Sequence, residues 1–167
     1  MSVLKDLFLQ EIKRRLLDEC IPRARKCLQL LSDDDIWFRP NENSNSMGNL
    51  VLHLNGNVRQ WLMSTLGGQS DRRERQAEFD AVGGYSKAEL LTCLDDLERD
   101  IRPVLDNITE SDLARVWHVQ GFEETGIAIL VHITEHFSYH AGQMTWFVKA
   151  HKNVDTGYYA GQNLDAK

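Results

Sequence analysis

Residues 126–148 read GIAILVHITEHFSYHAGQMTWFV, and Glu135 is the only formally charged residue among them. The pattern predicts a long last helix over about residues 124–151. A helix on the surface of a bundle normally shows a polar face, so a helix that is apolar nearly all round must be covered on more than one side. This stretch therefore predicts a domain built from packed helices.

Three earlier segments share the helical periodicity of apolar residues, and no run alternates over six residues as a strand would. They cover about residues 2–31, 47–66 and 86–108. The first has an apolar stripe that begins at Leu4 and Leu7, and Pro22 is expected to kink this helix. We therefore predict an all-α fold, a four-helix bundle that forms a single domain over residues 1–167.

The connections between these helices consist largely of polar and turn-forming residues. Ser86 and Glu89 form a capping-box pattern at the start of the third helix. The other connections are predicted as polar linkers or turns over residues 33–46, 69–85 and 109–112. Residues 114–125 are predicted to form a short hairpin or an irregular lid before the last helix.

The composition is that of a soluble globular protein, with 42% hydrophobic and 26% charged residues. The formal net charge is −6, so there is no overall basic field and nucleic-acid binding is not expected. The longest apolar run, residues 127–131, is too short to span a bilayer, and the N-terminal charges do not fit a signal peptide. We expect a cytoplasmic protein without a membrane partner, whose three cysteines are small buried hydrophobes.

The nearly uniform apolar surface of the last helix also predicts an assembly. In a domain of four helices, a second subunit is the expected cover for this helix. We predict a two-fold symmetric homodimer with Trp146 and Phe147 as anchors of the interface. The alternative is that residues 109–125 and the C-terminal tail fold over the same surface.

Three histidines follow one another at four-residue spacing along the last helix: His132, His136 and His140. Residues at i and i+4 lie on one helix face, about 5–6 Å apart at Cβ, which allows two imidazoles to bind one metal ion. The full row spans about 12 Å, too far for one ion to join its ends. The pair is therefore either His132 with His136 or His136 with His140, and periodicity alone does not choose between them.

A third imidazole from the second helix, His53, would complete a set of three nitrogen ligands. Three protein ligands leave coordination positions open for water or substrate, as in catalytic metal sites. The zinc-peptidase signature is absent, because Phe137 follows His136 where that signature has glutamate. On the second helix His53 belongs to a polar row with Asn49, Asn57 and Gln60. This row is either a solvated helix face or the lining of a wet cavity whose amides orient a bound ligand.

These motifs resemble the DinB/YfiT-like superfamily of metal-binding four-helix bundles. The resemblance is carried by His53 within GNLVLHL, residues 48–54, and by the spaced histidines before Ala141-Gly142-Gln143. Residues 37–46, WFRPNENSNS, resemble one uncharacterised branch of that superfamily. The similarity extends from the first helix to about residue 150.

The resemblance implies an up-down-down-up bundle, often dimeric, that holds a divalent ion. The implied ligands are His53, His136 and His140, whereas His132 matches a frequent non-ligand position. Nickel, zinc, iron and cobalt all accept imidazole ligands, so the ion is expected to be a divalent transition metal. Ala141 stands where many relatives have an arginine, which leaves the substrate class open.

Several members of the superfamily are similar to S-transferases that use a low-molecular-weight thiol, bound to the metal as thiolate. We therefore expect a metal-dependent thiol transferase acting on a small-molecule electrophile, with Asn57 and Gln143 as donors around the bound cofactor. No catalytic residue is assigned. The alternatives are a metal-dependent hydrolase, in which hydroxide replaces the thiolate, and a non-catalytic, stress-associated metal-binding dimer.

Overall fold

A computed structural model describes residues 3–166 of the chain. Four long helical segments form the bundle, and two of them contain a π-helical stretch. They are α1 (Val3–Lys13) continued by π-helical Arg14–Cys20 and by α2 (Ile21–Gln29), α4 (Met47–Val58) continued by π-helical Arg59–Leu66, α6 (Lys87–Asn107) and α8 (Gly126–Lys152). This arrangement confirms the predicted all-α, up-down-down-up four-helix bundle.

Three short helices lie in connections that were expected to be linkers or turns. They are α3 (Asp33–Trp37), α5 (Arg75–Asp80) and α7 (Glu110–Ala114). Capping boxes begin two of them, at Ser32 for α3 and at Thr109 for α7. The prediction of a plain turn at residues 109–112 is therefore wrong, because a local side-chain cap is enough to start one helical turn there.

Of the two alternatives predicted before the last helix, a hairpin or an irregular lid, the structure has the hairpin. Strands β1 (Val116–Val119) and β2 (Phe122–Thr125) pair antiparallel, with Val119 opposite Phe122. The two turn residues, Gln120 and Gly121, both have positive φ angles, 52° and 85°. Positive φ at both positions is typical of the tight turn that matches the twist of paired strands. The side chain of Thr125, at the end of β2, caps the first turn of α8.

The core is formed by facing apolar stripes of the long helices. Its fully buried side chains include Leu16, Leu28, Leu54, Leu94, Ile101 and Phe137. Leu4 and Leu7 do not belong to it, because they are 78% and 56% exposed. Periodicity identifies an apolar helix face but not what covers it, and residues 3–166 leave these two side chains uncovered.

The first long helix is irregular where proline was expected to disturb it. The π-helical segment Arg14–Cys20 comes shortly before Pro22, whose ring nitrogen cannot donate a hydrogen bond to the preceding turn. Within residues 3–166, no helix combines the length and the apolar character needed to cross a membrane.

Candidate metal centre

The bundle brings His53 of α4 together with His136 and His140 of α8. One ring nitrogen of each residue lies within 4.8 Å of the other two. The distance between His53 Nε2 and His136 Nε2 is 3.1 Å. Two residues one helical turn apart and a third from a facing helix thus converge on one point.

These nitrogens have a spacing that fits a shared metal ion. Nitrogen ligands about 2.0–2.1 Å from one ion, at angles of about 90–110°, lie about 2.8–3.4 Å apart. The 3.1 Å separation of the His53 and His136 nitrogens falls in this range. All three nitrogens lie within 4.8 Å of one another, so the cluster could hold a divalent transition metal that accepts imidazole ligands.

The imidazoles of His136 and His140 are held in the neutral form that a metal requires. Burial, together with the neighbouring imidazoles of His140 and His53, lowers the pKa of His136 to about 3. Burial likewise lowers the pKa of His140. A neutral imidazole keeps one nitrogen lone pair free for coordination, so protons compete weakly with a metal here.

Glu78 of α5 fixes the orientation of His53. The carboxylate is buried, with 8% of the residue exposed, and Oε2 lies 2.9 Å from His53 Nδ1. Arg73 Nη2 also lies 3.2 Å from Nδ1, but a carboxylate can only accept, so we place the proton on Nδ1 facing Glu78. His53 then presents the lone pair of Nε2 to the cluster, as a metal-binding histidine with a carboxylate partner does.

Arg73 keeps the Glu78 carboxylate ionised. Its Nε donates to Oε1 at 2.7 Å and its Nη2 donates to Oε2 at 2.9 Å. Burial alone would raise the pKa of Glu78, but the hydrogen bonds from Arg73 and His53 outweigh it, and the pKa lies below its usual range. The ion pair therefore keeps an acceptor in place for the His53 proton.

The short helix α5 is anchored to α4 through its backbone carbonyls. Asn49 Nδ2 donates to the carbonyl oxygens of Glu78 at 2.9 Å and Ala81 at 2.7 Å. Arg39 Nη2 donates to the carbonyl oxygens of Phe79 at 2.8 Å and Ala81 at 3.1 Å. These bonds hold Glu78 against the helix that carries the first histidine.

Glu78 and Arg73 were not among the residues predicted for the site. They lie in the connection 69–85, where acidic and basic residues alternate, and the sequence offers no signal that separates Glu78 from its exposed neighbours. Only the tertiary structure shows that Gly56 of α4 leaves room for this carboxylate. A Cβ at Gly56 would lie 2.0 Å from Glu78 Oε1.

A family profile described as "Protein of unknown function (DUF1572)" matches residues 4–158. The chain belongs to the DUF1572 family. No curated protein matches this DUF1572 chain significantly.

Solved structures share the fold of this DUF1572 protein. It is similar to a DinB-like protein from Bacillus cereus, with 17% identity, a TM-score of 0.68, and 89% of this chain and 93% of the other covered. A DinB-like protein from Bacillus subtilis has 18% identity and a TM-score of 0.66, with 89% of this chain and 94% of the other covered. A conserved protein from Enterococcus faecalis has 16% identity and a TM-score of 0.71, with 92% of this chain and 99% of the other covered. These similarities confirm the DinB/YfiT-like fold that the motifs indicate.

The two predicted amides occupy different positions in the DUF1572 structure. Gln143 Oε1 lies 2.7 Å from His140 Nδ1 and can accept its proton, which leaves His140 Nε2 for a metal. Asn57 instead contacts His132, with Nδ2 3.3 Å from His132 Nε2. Its Oδ1 is buried and has no hydrogen-bond partner among residues 3–166. Asn49, His53 and Asn57 are buried and Gln60 is partly buried, so the polar row of the second helix is not a solvated face.

His132 lies beside the cluster but outside it. Its ring stacks on that of His136, with the centroids 5.3 Å apart, and on the indole of Trp61 at 3.8 Å. The nitrogen atoms that converge in the DUF1572 protein belong to His53, His136 and His140, and those of His132 are not part of that group. Between the two pairs that helical spacing allowed, the geometry favours His136 with His140.

Proposed function

We propose that this protein binds one divalent transition metal ion through His53, His136 and His140. The observation that supports this most directly is the convergence of their three ring nitrogens within 4.8 Å. Nickel, zinc, iron and cobalt all suit three imidazoles. In this proposal Glu78 and Gln143 hold the protons of His53 and His140 away from the ion.

We further propose that the protein is a thiol S-transferase acting on small electrophiles. A bound divalent ion lowers the pKa of a coordinated thiol and so supplies the nucleophile at neutral pH. The thiol sulfur forms a bond to the electrophilic carbon as the leaving group departs with the bonding electrons. With three protein ligands, positions on the ion remain open for this chemistry.

The protein's own cysteines are poor candidates for the nucleophile, which favours an external thiol. Cys20 and Cys27 are buried, and Cys93 is partly buried. Burial raises the pKa of all three thiols, so they are protonated at neutral pH. A low-molecular-weight thiol that reaches the metal is the reactant that the proposal requires.

The metal assignment is tested by elemental analysis of protein purified without an affinity tag. We expect about one transition metal ion per chain in the wild type. The variants His53→Ala and His136→Ala should each lose it. The variant His118→Ala, on the exposed hairpin, should retain it. Absence of metal from the wild type, or metal retained in both site variants, would overturn the assignment.

The reaction is tested with the metal-loaded protein, a panel of thiols and a general electrophile. Thiol-dependent turnover that is lost in His140→Ala but kept in His118→Ala supports the transferase. Turnover of the electrophile without thiol identifies a hydrolase instead. No turnover across the panel means that the protein binds metal without catalysis.

We also propose that the protein is a homodimer in which α8 contributes to the interface. Trp146 is 70% exposed and Tyr139 is 63% exposed, although both lie on a largely apolar helix. Phe147 is instead half-buried against Phe38, with ring centroids 6.3 Å apart. Trp146 is therefore the stronger candidate for an anchor across the two-fold axis.

A further inference from the structure

A cavity of about 320 Å³ lies beside His132 on the side of the hairpin. Its lining comes from α8, the π-helical end of the second helix, α5 and the hairpin. The lining residues are Trp61, Arg75, Gln120, Phe122, Glu124 and His132. A volume of this size is at the lower end of the range for small-molecule sites.

Aromatic rings form the wall of this cavity. The rings of Trp61 and His132 are stacked, with centroids 3.8 Å apart and planes inclined by 24°. The ring of Phe122 lies 6.2 Å from that of Trp61 and is tilted by 35°. Phe122 is 56% exposed, so its ring is accessible at the mouth. Trp61 is only 3% exposed, so its ring backs the wall, and the rings that a ligand can reach are those of Phe122 and half-buried His132. Such a wall favours a ligand with a flat π face.

Hydrogen bonds hold two of these rings in place. Trp61 Nε1 donates to Gln120 Oε1 at 3.0 Å, which ties the indole to the turn of the hairpin. Asn57 Nδ2 lies 3.3 Å from His132 Nε2 and can donate to it. The rings are therefore positioned before any ligand arrives, which lowers the entropic cost of binding.

Charge does not select the ligand strongly. Arg75 and Glu124 contribute one positive and one negative side chain to the lining. Their fields oppose each other, so neither an anion nor a cation gains a large advantage. Recognition then depends mainly on the shape and the π face of the ligand.

The cavity is adjacent to the metal centre described above. His132 lines it, and the ring of His132 stacks on His136 at 5.3 Å with the planes inclined by 19°. We propose that this cavity binds the planar aromatic part of the electrophilic substrate. The identity of the ligand as substrate rests on the proposed function, whereas binding of an aromatic ring does not.

Binding is tested with two probes that share a carboxamide group, benzamide and cyclohexanecarboxamide. Their binding is followed by ligand-observed NMR and by changes in the chemical shifts of the His132 ring. Benzamide should bind, and the saturated probe should bind about two- to tenfold more weakly, because it lacks a π face. Phe122→Leu should weaken the binding of benzamide by a similar factor, whereas His118→Ala on the same hairpin should leave its affinity unchanged. Equal affinity of the two probes, or unchanged binding by Phe122→Leu, would overturn the proposal.

A second measurement separates this proposal from the metal assignment. Benzamide is titrated into chelator-treated protein and into protein loaded with paramagnetic Co²⁺. Binding in both, with broadening of the benzamide signals only when Co²⁺ is present, supports a substrate cavity beside the metal. Binding without such broadening would leave an aromatic site but reject its role at the metal centre. If the protein does not take up Co²⁺, the proposed function fails, and the chelator-treated sample still decides whether the cavity binds the ring.

Discussion

The neutral form of His136 has a consequence for stability. The pKa is about 3 in the folded protein and about 6.5 for an ordinary histidine. Because the folded pKa is the lower one, the unfolded chain takes up this proton first as the pH falls. We expect the free energy of unfolding of the metal-free protein to decrease between about pH 6.5 and pH 3, where Glu78 and other carboxylates contribute at the acidic end.

The measurement is urea unfolding of metal-free protein at a series of pH values in this window. The variant His136→Gln has no titrating group at this position, so its stability should fall less steeply with pH. His118→Ala removes an exposed imidazole and should keep the wild-type slope. Identical slopes for the wild type and His136→Gln would contradict the buried, neutral imidazole.

Gly56 determines whether Glu78 can reach His53. Because a Cβ would lie 2.0 Å from Glu78 Oε1, Gly56→Ala should displace the carboxylate. We expect about 10- to 100-fold weaker metal binding, the usual effect of losing the partner of a ligand histidine. Gly142→Ala is the matched control, because its Cβ would meet nothing within 4 Å. Isothermal titration with a divalent ion compares the two variants, and equal affinities would contradict this role of Gly56.

At the scale of elements, the sequence predicted the long helices and the hairpin but not the short helices α3, α5 and α7 in the connections. Long helices have a repeated apolar period and capping signals, as at Ser86, so they can be identified locally. The helix α5 has six residues and no side-chain cap, and it is held by Asn49 and Arg39 from elsewhere in the chain. The histidines could be predicted for the same reason as the helices, whereas Glu78 depends on that long-range anchoring.

The start of α4 is a second test at this scale, because its capping box is buried. Ser46 Oγ accepts from the backbone N–H of Asn49 at 3.1 Å, and Ser46 itself is buried. Ser46→Ala should lower the free energy of unfolding by about 1–2 kcal/mol, since water cannot replace the lost acceptor. Ser86→Ala removes an equivalent but exposed cap and should cost less, about 0.5–1 kcal/mol. Thermal and urea unfolding of both variants measure the difference, and equal losses would contradict the effect of burial.

For the whole molecule, the exposed apolar side chains raise the question of what covers them. Exposed apolar side chains recur along α8 and at the start of α1, and the two helices are in contact. They are Ile127, Val131, Tyr139 and Trp146 on α8, and Val3, Leu4 and Leu7 on α1. The sequence predicted that the last helix needs cover, but periodicity could not tell whether that cover comes from this chain. The C-terminal tail covers part of α8, where Tyr158 Oη lies 2.8 Å from Thr145 Oγ1, and leaves Trp146 open.

A second subunit is the cover that this surface predicts, and analytical ultracentrifugation tests it. The wild type should sediment as a dimer, because association removes the exposed rings of Trp146 and Tyr139 from water. Trp146→Glu places a charge in that interface and should shift the protein to monomers. Leu164→Glu changes an equally exposed side chain of the tail and should leave the dimer intact. A monomeric wild type would contradict the predicted dimer. A dimer unaffected by Trp146→Glu would show that Trp146 stays exposed to water in the assembly and that the interface lies elsewhere.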